Sequence, residues 1–347
     1  MPTIMIGGVE RTLLNILTEL DKREYRLTLL TSQMSMDFEK QLPGRVVIRK
    51  IGTGNSTSLS KAIFSKKTRA SIQSLLGLVR FMRKEKPDAV YSFQGSAISV
   101  VAQLISRAKS PLFVRESNTV SKAFIFDGSV AKKLKVLLKK MLYSKSSAII
   151  AVSKGVADDL VVSVKIPRSK IRVIYNPTYT PQLIQGSKEP IKHKWLQAAT
   201  SIPVVISVGR LSKQKDFLTL IEAFALLREK QEARLIIVGD GPERSEIERR
   251  AYALGIADNL DLIGEQSNPY KYISRADVFV LSSIFEGLPN VVIEAIGCAT
   301  PVVATDCPSG PREILLDGDA GTLVPIRNPE LMAHAIFNYL NDSSLAN

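Results

Sequence analysis

A chain of 347 residues, 45% hydrophobic and 23% charged, has the length of two globular domains and lacks the run of about 18 apolar residues that would cross a bilayer. Its two cysteines, Cys298 and Cys307, form no Cys-x-x-Cys; this argues against a disulfide framework, and with no secretory signal at the start it points to a reducing cytoplasm. The formal net charge of +14 is unevenly divided: residues 1–190 carry 32 Lys+Arg against 13 Asp+Glu, residues 191–347 only 15 against 20, so a polyanionic partner is expected to meet the first half.

In chain order, Met1–Ile6 is a short apolar segment whose Pro2 removes one ladder donor. Gly7-Gly8 follows, a turn that admits a backbone or ligand closely. Short β-rich runs then alternate with helical stretches, the pattern of parallel sheets wound with helices. Strands are expected at residues 26–31, 46–50, 89–93, 112–115, 148–152 and 172–175. Between the second and third lies a basic cluster, Lys61, Lys66, Lys67 and Arg69, which leads into the helical stretch Ile72–Arg83. The densest charge is at 130–142, where Val130, Leu134, Leu137, Leu138 and Met141 recur at helical spacing among Lys132, Lys133, Lys135, Lys139 and Lys140. That is a basic amphipathic helix. It suits a membrane surface, with the apolar side free to pack inward while the lysines meet headgroups or phosphates. Nucleic acid is not expected, because no zinc-ligand spacing, stacking motif or recognition-helix signature accompanies the charge. Arg115 and Glu116 end the fourth strand and are candidates to bind an acceptor or to form a buried structural pair.

The stretch after Tyr175 has three prolines and no periodicity, as a linker would. Strands resume at 204–208, 235–239, 260–263, 278–281, 302–305 and 321–324. The expected division is a basic first domain over residues 1–180, a linker at 181–200, a second domain at 201–330 and a C-terminal helix at 331–347.

Two motifs in the second half carry chemistry. After the apolar run 277–283, the segment Phe285-Glu-Gly-Leu-Pro-Asn-Val-Val-Ile-Glu294 places Glu286 on a loop and Glu294 on the following helix. Loops at the carboxyl ends of parallel strands face the crevice where such sheets bind ligands, so two acceptors are offered to one polyhydroxylated molecule. Upstream, Arg210 and Lys215 in Ile206-Ser-Val-Gly-Arg-Leu-Ser-Lys-Gln-Lys215 supply two cations suited to a diphosphate. Sugar and diphosphate together describe a nucleotide sugar. Asp240-Gly241-Pro242 reads as a structural turn, and so does Asp317-Gly318-Asp319 despite its Asp-x-Asp form.

With Gly7-Gly8-Val9-Glu10-Arg11, Val238-Gly-Asp-Gly-Pro242 and Pro308-Ser-Gly-Pro-Arg-Glu313 in the same order, these motifs resemble, over roughly the whole chain, the retaining glycosyltransferases of family 4. The resemblance implies the GT-B fold: α/β, with two doubly wound Rossmann-like domains facing a cleft. It also implies a first strand before the double glycine, for which Met1–Ile6 leaves a missing or shortened version, and a longer C-terminal helix than the one ending by Asn347. The catalytic group it implies is Arg210, Lys215 and Glu286. Donor binding is implied for Gly8, Arg210, Lys215, Glu286, Gly287, Leu288 and Glu294, with Glu294 on ribose hydroxyls, Glu286 on the transferred sugar and backbone amides at 287–288 on phosphate. Gln94, Arg115 and Glu116 are the acceptor candidates. Gln94 stands where many relatives have a His, and Gln is no base at neutral pH.

A double displacement would need a protein nucleophile. The resemblance implies front-face attack instead, assisted by the departing diphosphate, with no metal or other cofactor. The expected activity is transfer from UDP-hexose or UDP-N-acetylhexosamine to a saccharide acceptor, on a lipid diphosphate, in polysaccharide or lipopolysaccharide biosynthesis. The expected location is the cytoplasmic face of an anionic membrane, met through the basic first domain. The alternatives are a catalytically silent or truncated polyanion-binding relative, or a nucleotide-sugar epimerase or a phosphorylase of the same shape.

Overall fold

The computed structural model describes residues 8–23, 25–51, 66–123, 129–197 and 202–342. The chain divides into two compact units, Met1–Pro177 and Thr178–Asn347. All twelve expected strands form, each parallel to its sheet neighbours.

In the first unit β1 (Thr28–Thr31) pairs with β2 (Val47–Lys50), while β3 (Val90–Ser92), β4 (Leu112–Glu116), β5 (Ala148–Ala151) and β6 (Ile171–Val173) form a second sheet in that order. No pairing joins β1 to β3 among the described residues. The shortened first strand expected at Met1–Ile6 lies outside them, as does Gly7.

The second unit holds one six-stranded sheet of β7 (Val204–Val208), β8 (Arg234–Val238), β9 (Leu260–Gly264), β10 (Val278–Leu281), β11 (Val302–Thr305) and β12 (Thr322–Val324), in the order β12-β11-β10-β7-β8-β9. Its central strands are nearly continuous apolar runs because both faces are covered. Alternate residues serve the two faces: Val205, Leu235, Ile237, Val278, Val280 and Val303 pack under the helices Phe217–Arg228 and Pro329–Asn341. Ile206, Ile236, Val238, Phe279, Leu281 and Ala304 pack on the other side with Val292 and Ala295 of the helix Asn290–Gly297. The chain winds outward from β7 through β8 to β9, then returns to lay β10 on the opposite side of β7. The helices that follow these two neighbours lie on opposite faces, which opens a crevice at their carboxyl ends.

Two expectations change. Part of the stretch read as a linker is a helix, Pro181–Ser187, started by Thr180, whose hydroxyl accepts from the Leu183 amide, with proline in the first turn. Asn268 donates 2.9 Å to the Gly186 carbonyl, and Ser274 donates 2.9 Å to that of Ser187, tying it into the second unit. The basic helix, Ser129–Tyr143, is turned the other way from the expected one: Lys139 points inward to Glu116, and the apolar positions face solvent. No helix among the described residues is long and apolar enough to cross a membrane.

Candidate active site

The loop after β7, residues 209–216, is held by its neighbour after β8. The Gly209 amide donates 3.0 Å to the Val238 carbonyl and the Leu211 amide 3.0 Å to that of Asp240. This approach demands glycine. A Cβ at Gly239, where φ is +141°, would lie 2.0 Å from the Gly209 carbonyl oxygen, and one at Gly241 would lie 2.3 Å from that of Leu211. Asp240-Gly241-Pro242 is thus the structural turn expected, and with Gly239 it seats the loop that carries Arg210 and Lys215.

The loop after β10, residues 282–289, is stitched to the same segment. Ser282 Oγ donates 2.7 Å to the Lys215 carbonyl, the Ile284 amide 2.8 Å to that of Gln214, and Gln214 Nε2 2.9 Å to that of Phe285. At the centre, Lys215 Nζ donates 2.6 Å and Ser283 Oγ 2.7 Å to one oxygen of Glu286. The carboxylate is only 6% exposed, so cation and hydroxyl offset much of its desolvation. Lys215 reaches it across Gly209, where any Cβ would stand 3.3 Å from the lysine Cε.

A third loop supports the second. Thr305 Oγ1 donates 2.6 Å to the Ser283 carbonyl and Ser309 Oγ 2.9 Å to that of Gly287. Gly310, at φ +96°, approaches so closely that a Cβ would sit 2.4 Å from Pro289 Cδ. Gly287 and Leu288 are buried in this packing, and Glu294, 2% exposed, lies on the helix that the loop launches. Arg210 is exposed, with no ion pair among the described residues. Cys307 sits beside this group: burial first, and the Glu286 charge second, push its thiol up to about 12.

The first unit gathers a smaller group. Arg115, 5% exposed, lies over the Phe93 ring at 4.3 Å, and its Nη2 donates 2.9 Å to Asn176 Oδ1. Burial lowers its pKa from the usual arginine value, opposed by the charges of Tyr91, Glu116 and Glu10. Gln94 Nε2 donates 3.3 Å to Glu10 Oε1. Glu116 does not join them. Adjacent strand residues face opposite ways, and Glu116 accepts 2.9 Å from the Tyr143 hydroxyl and pairs with Lys139. Its side-chain partners belong to the helix Ser129–Tyr143 rather than to Arg115. Gly8 begins the helix Gly8–Asp21 of the first unit.

Arg210, Lys215, Glu286, Gly287, Leu288 and Glu294 therefore share the carboxyl ends of β7 and β10, whereas Gln94 and Arg115 belong to the other unit. Sequence reasoning missed Ser283, Gln214, Thr305 and Ser309, which aim or support Glu286. A hydroxyl three residues before the carboxylate was the only local signal for the first of these. Asp317-Gly318-Asp319 is a turn, with Asp317 at φ +60° and Gly318 at +116°. His193 packs in the second unit, its Nε2 3.1 Å from Asp261 Oδ2 and its ring against Trp195.

Known proteins resemble this chain over both units. The sequence profile of Glycosyltransferase Family 4 matches residues 6–180, and that of Glycosyl transferases group 1 matches residues 189–347. A Campylobacter jejuni N-acetylgalactosamine-N,N'-diacetylbacillosaminyl-diphospho-undecaprenol 4-alpha-N-acetylgalactosaminyltransferase is 32% identical over 72% of this chain, which spans 65% of that protein's length. An uncharacterised glycosyltransferase of Methanocaldococcus jannaschii is 30% identical over 80% of the chain and 69% of its own. Among solved structures, Anabaena HepE in complex with UDP and glucose superposes with a TM-score of 0.78 at 20% identity, covering 100% of this chain and 90% of that one. This likeness is one of fold, the GT-B fold of two Rossmann-like domains. On the profile matches and these relatives, the chain belongs to glycosyltransferase family 4.

Proposed function

We propose that the chain transfers a sugar from a nucleotide diphosphate donor, UDP-hexose or UDP-N-acetylhexosamine, to a saccharide acceptor with retention of configuration, in polysaccharide or lipopolysaccharide biosynthesis. The observation that carries the proposal is the Lys215–Glu286 pair at the switch point between β7 and β10, with exposed Arg210 on the same loop and buried Glu294 on the next helix.

Arg210 and Lys215 hold the diphosphate, the guanidinium through paired donors and the ammonium as a point charge. As the glycosidic bond breaks, charge develops on the leaving phosphate oxygen, and cations fixed beside it stabilise that charge without reorganisation. Two protein cations neutralise the leaving group, so transfer proceeds in metal-free buffer. Movement of Lys215 toward the phosphates releases lone pairs of Glu286 for hydroxyls of the transferred sugar, while Glu294 accepts from the ribose. Glu286, held in place by the Ser283 hydroxyl, serves as an acceptor of hydrogen bonds and not as a nucleophile. The departing diphosphate takes the acceptor proton, and attack on the same face retains configuration.

The acceptor is proposed to be carried on a lipid diphosphate, as the printed name of the Campylobacter relative has it for that protein. The excess of cations in residues 1–190 fits the chain to the anionic cytoplasmic face of a membrane. Gln94 and Arg115 are the acceptor-side residues. The test incubates the protein with labelled UDP-glucose, UDP-N-acetylglucosamine or UDP-N-acetylgalactosamine and a lipid-diphosphate saccharide in chelator, with the product anomer read by NMR. An α-linked product from one donor, lowered about a hundredfold or more by Lys215→Ala, supports the proposal; a β-linked product or an absolute metal requirement contradicts it.

A further inference from the structure

Arg115 is a buried guanidinium whose bonding is incomplete. At the carboxyl end of β4 it is 5% exposed and its Nη2 bonds Asn176, yet its Nη1 is enclosed and has no hydrogen-bond partner among the described residues. The acid beside it in the chain, Glu116, is taken by Tyr143 and Lys139. A buried charge without an anion costs stability, and a ligand that supplies the anion accounts for a fold that keeps it.

The surroundings of Arg115 are those of a ligand wall. Its guanidinium lies 4.3 Å over the Phe93 ring; that ring stands 6.0 Å from the Tyr91 ring at 58°, and Tyr91 is 42% exposed. Tyr91 and Phe93 alternate with Ser92 and so share one face of the strand, which carries an aromatic surface from the guanidinium out to solvent. Beside it, exposed Gln94 donates 3.3 Å to Glu10 Oε1, an amide and a carboxylate that can bond hydroxyls.

The neighbouring charges select the kind of anion. Arg115 feels both Glu116 and Glu10; Glu116 is paired with Lys139, whereas Glu10 forms no ion pair among the described residues. A phosphate ester, with close to two negative charges at neutral pH, meets about twice the repulsion from Glu10 that a carboxylate meets. One carboxylate on a ring that also has hydroxyls and an apolar C–H face describes a hexuronic acid.

We propose that Arg115 is a specificity-determining residue that selects an acceptor whose saccharide end carries a hexuronate. The carboxylate accepts from Arg115 Nη1, the apolar face of the pyranose lies against Tyr91, and the hydroxyls bond Gln94 and Glu10. This rests on the glycosyltransferase reading above, with Gln94 and Arg115 on the acceptor side, and adds the chemical class of the sugar they hold. The lipid diphosphate is a separate part of the same acceptor and is not what Arg115 holds.

The test is saturation-transfer NMR titration of the UDP-loaded protein with methyl glucuronide and methyl galacturonide, against methyl glucoside, methyl galactoside and glucose 6-phosphate. One uronide is expected to bind about thirtyfold more tightly than its neutral counterpart, and more tightly than the phosphate. Arg115→Gln brings that ratio to about one, whereas Arg115→Lys keeps part of it. Arg115→Gln, whose amide can still bond Asn176, leaves the urea midpoint read by circular dichroism unchanged or higher, because it removes a buried charge the fold leaves half-bonded. Equal binding of uronide and neutral glycoside by the wild type overturns the proposal, and so does a preference for the phosphate. A lowered midpoint in Arg115→Gln with the uronide preference intact makes the guanidinium structural and overturns it too. Calorimetry with UDP keeps the two readings apart: a protein that binds UDP and no uronide loses this inference alone, and one that binds neither loses both.

Discussion

Lys215→Ala isolates the energetics of the site before any ligand is added. The substitution withdraws a cation 2.6 Å from a carboxylate that is 6% exposed. Removing one partner of a buried ion pair costs about 3–5 kcal/mol, and the residual 18% exposure of the lysine side chain sets the lower end, about 3 kcal/mol. For a unit of this size that corresponds to a fall in Tm of about 6–12 °C. Glu286→Gln keeps an oxygen to accept the Ser283 hydroxyl while removing the charge, so the double variant is expected to regain about 2 kcal/mol relative to the sum of the single losses. The assay is urea unfolding followed by tryptophan fluorescence. The chain has a single tryptophan, Trp195, buried in the core of the second unit, so the signal reports the unit that holds the pair. Single costs that add to within about 0.5 kcal/mol would show that the contact carries no coupling energy, and the electrostatic reasoning would fail.

Three further outcomes follow from the same geometry. Gly310→Ala forces a Cβ to 2.4 Å from Pro289 Cδ at a positive φ; it should cost at least about 2 kcal/mol and weaken UDP binding by displacing residues 287–289, as read by urea unfolding and calorimetry. Burial raises the Asp216 carboxyl above 3.8. A raised carboxyl contributes stability that is full below the unfolded value and lost as pH rises through the folded one. Asp216→Asn is therefore expected to raise Tm at neutral pH, with the gain vanishing below about pH 3.8; at φ +49° asparagine also tolerates the backbone. Burial pushes the Cys298 and Cys307 thiols up to about 12, aided by Glu294 and Glu286 respectively, so iodoacetamide at pH 8 should leave both unmodified until urea is added; rapid alkylation of the native protein would contradict this.

What the sequence made legible was whatever follows from period and strand ends. Apolar runs such as Val278–Leu281 are long enough to identify a strand buried on both faces, and a motif just beyond such a run must lie at the sheet's carboxyl edge. Glu286 and Lys215 were found this way. Properties decided by tertiary partners were not legible. Lys139 looks like a solvated lysine until Glu116, 23 residues earlier in the chain, pulls it inward and turns five apolar side chains outward. Glu116 itself looks like a companion of Arg115, because alternation along β4 separates the two only once the packing of each face is known. The helix Pro181–Ser187 was hidden by the prolines at its start and on either side, Pro177 and Pro190, although Thr180-Pro181 is a regular helix start. The supports of the Glu286 loop, Thr305 and Ser309, reach it from β11 and the loop that follows, with no spacing that announces them.

The central claim is that the carboxyl ends of β7 and β10 hold a nucleotide diphosphate through Arg210, Lys215, Glu286 and Glu294. Isothermal calorimetry of the folded protein with UDP and with GDP, in chelator and beside Glu294→Ala, tests it most directly. Binding of UDP at micromolar Kd, about −8 kcal/mol, that the variant loses while keeping its unfolding midpoint is the predicted result. A folded wild type that binds neither nucleotide, or a Glu294→Ala protein that binds UDP as well as the wild type, would contradict it.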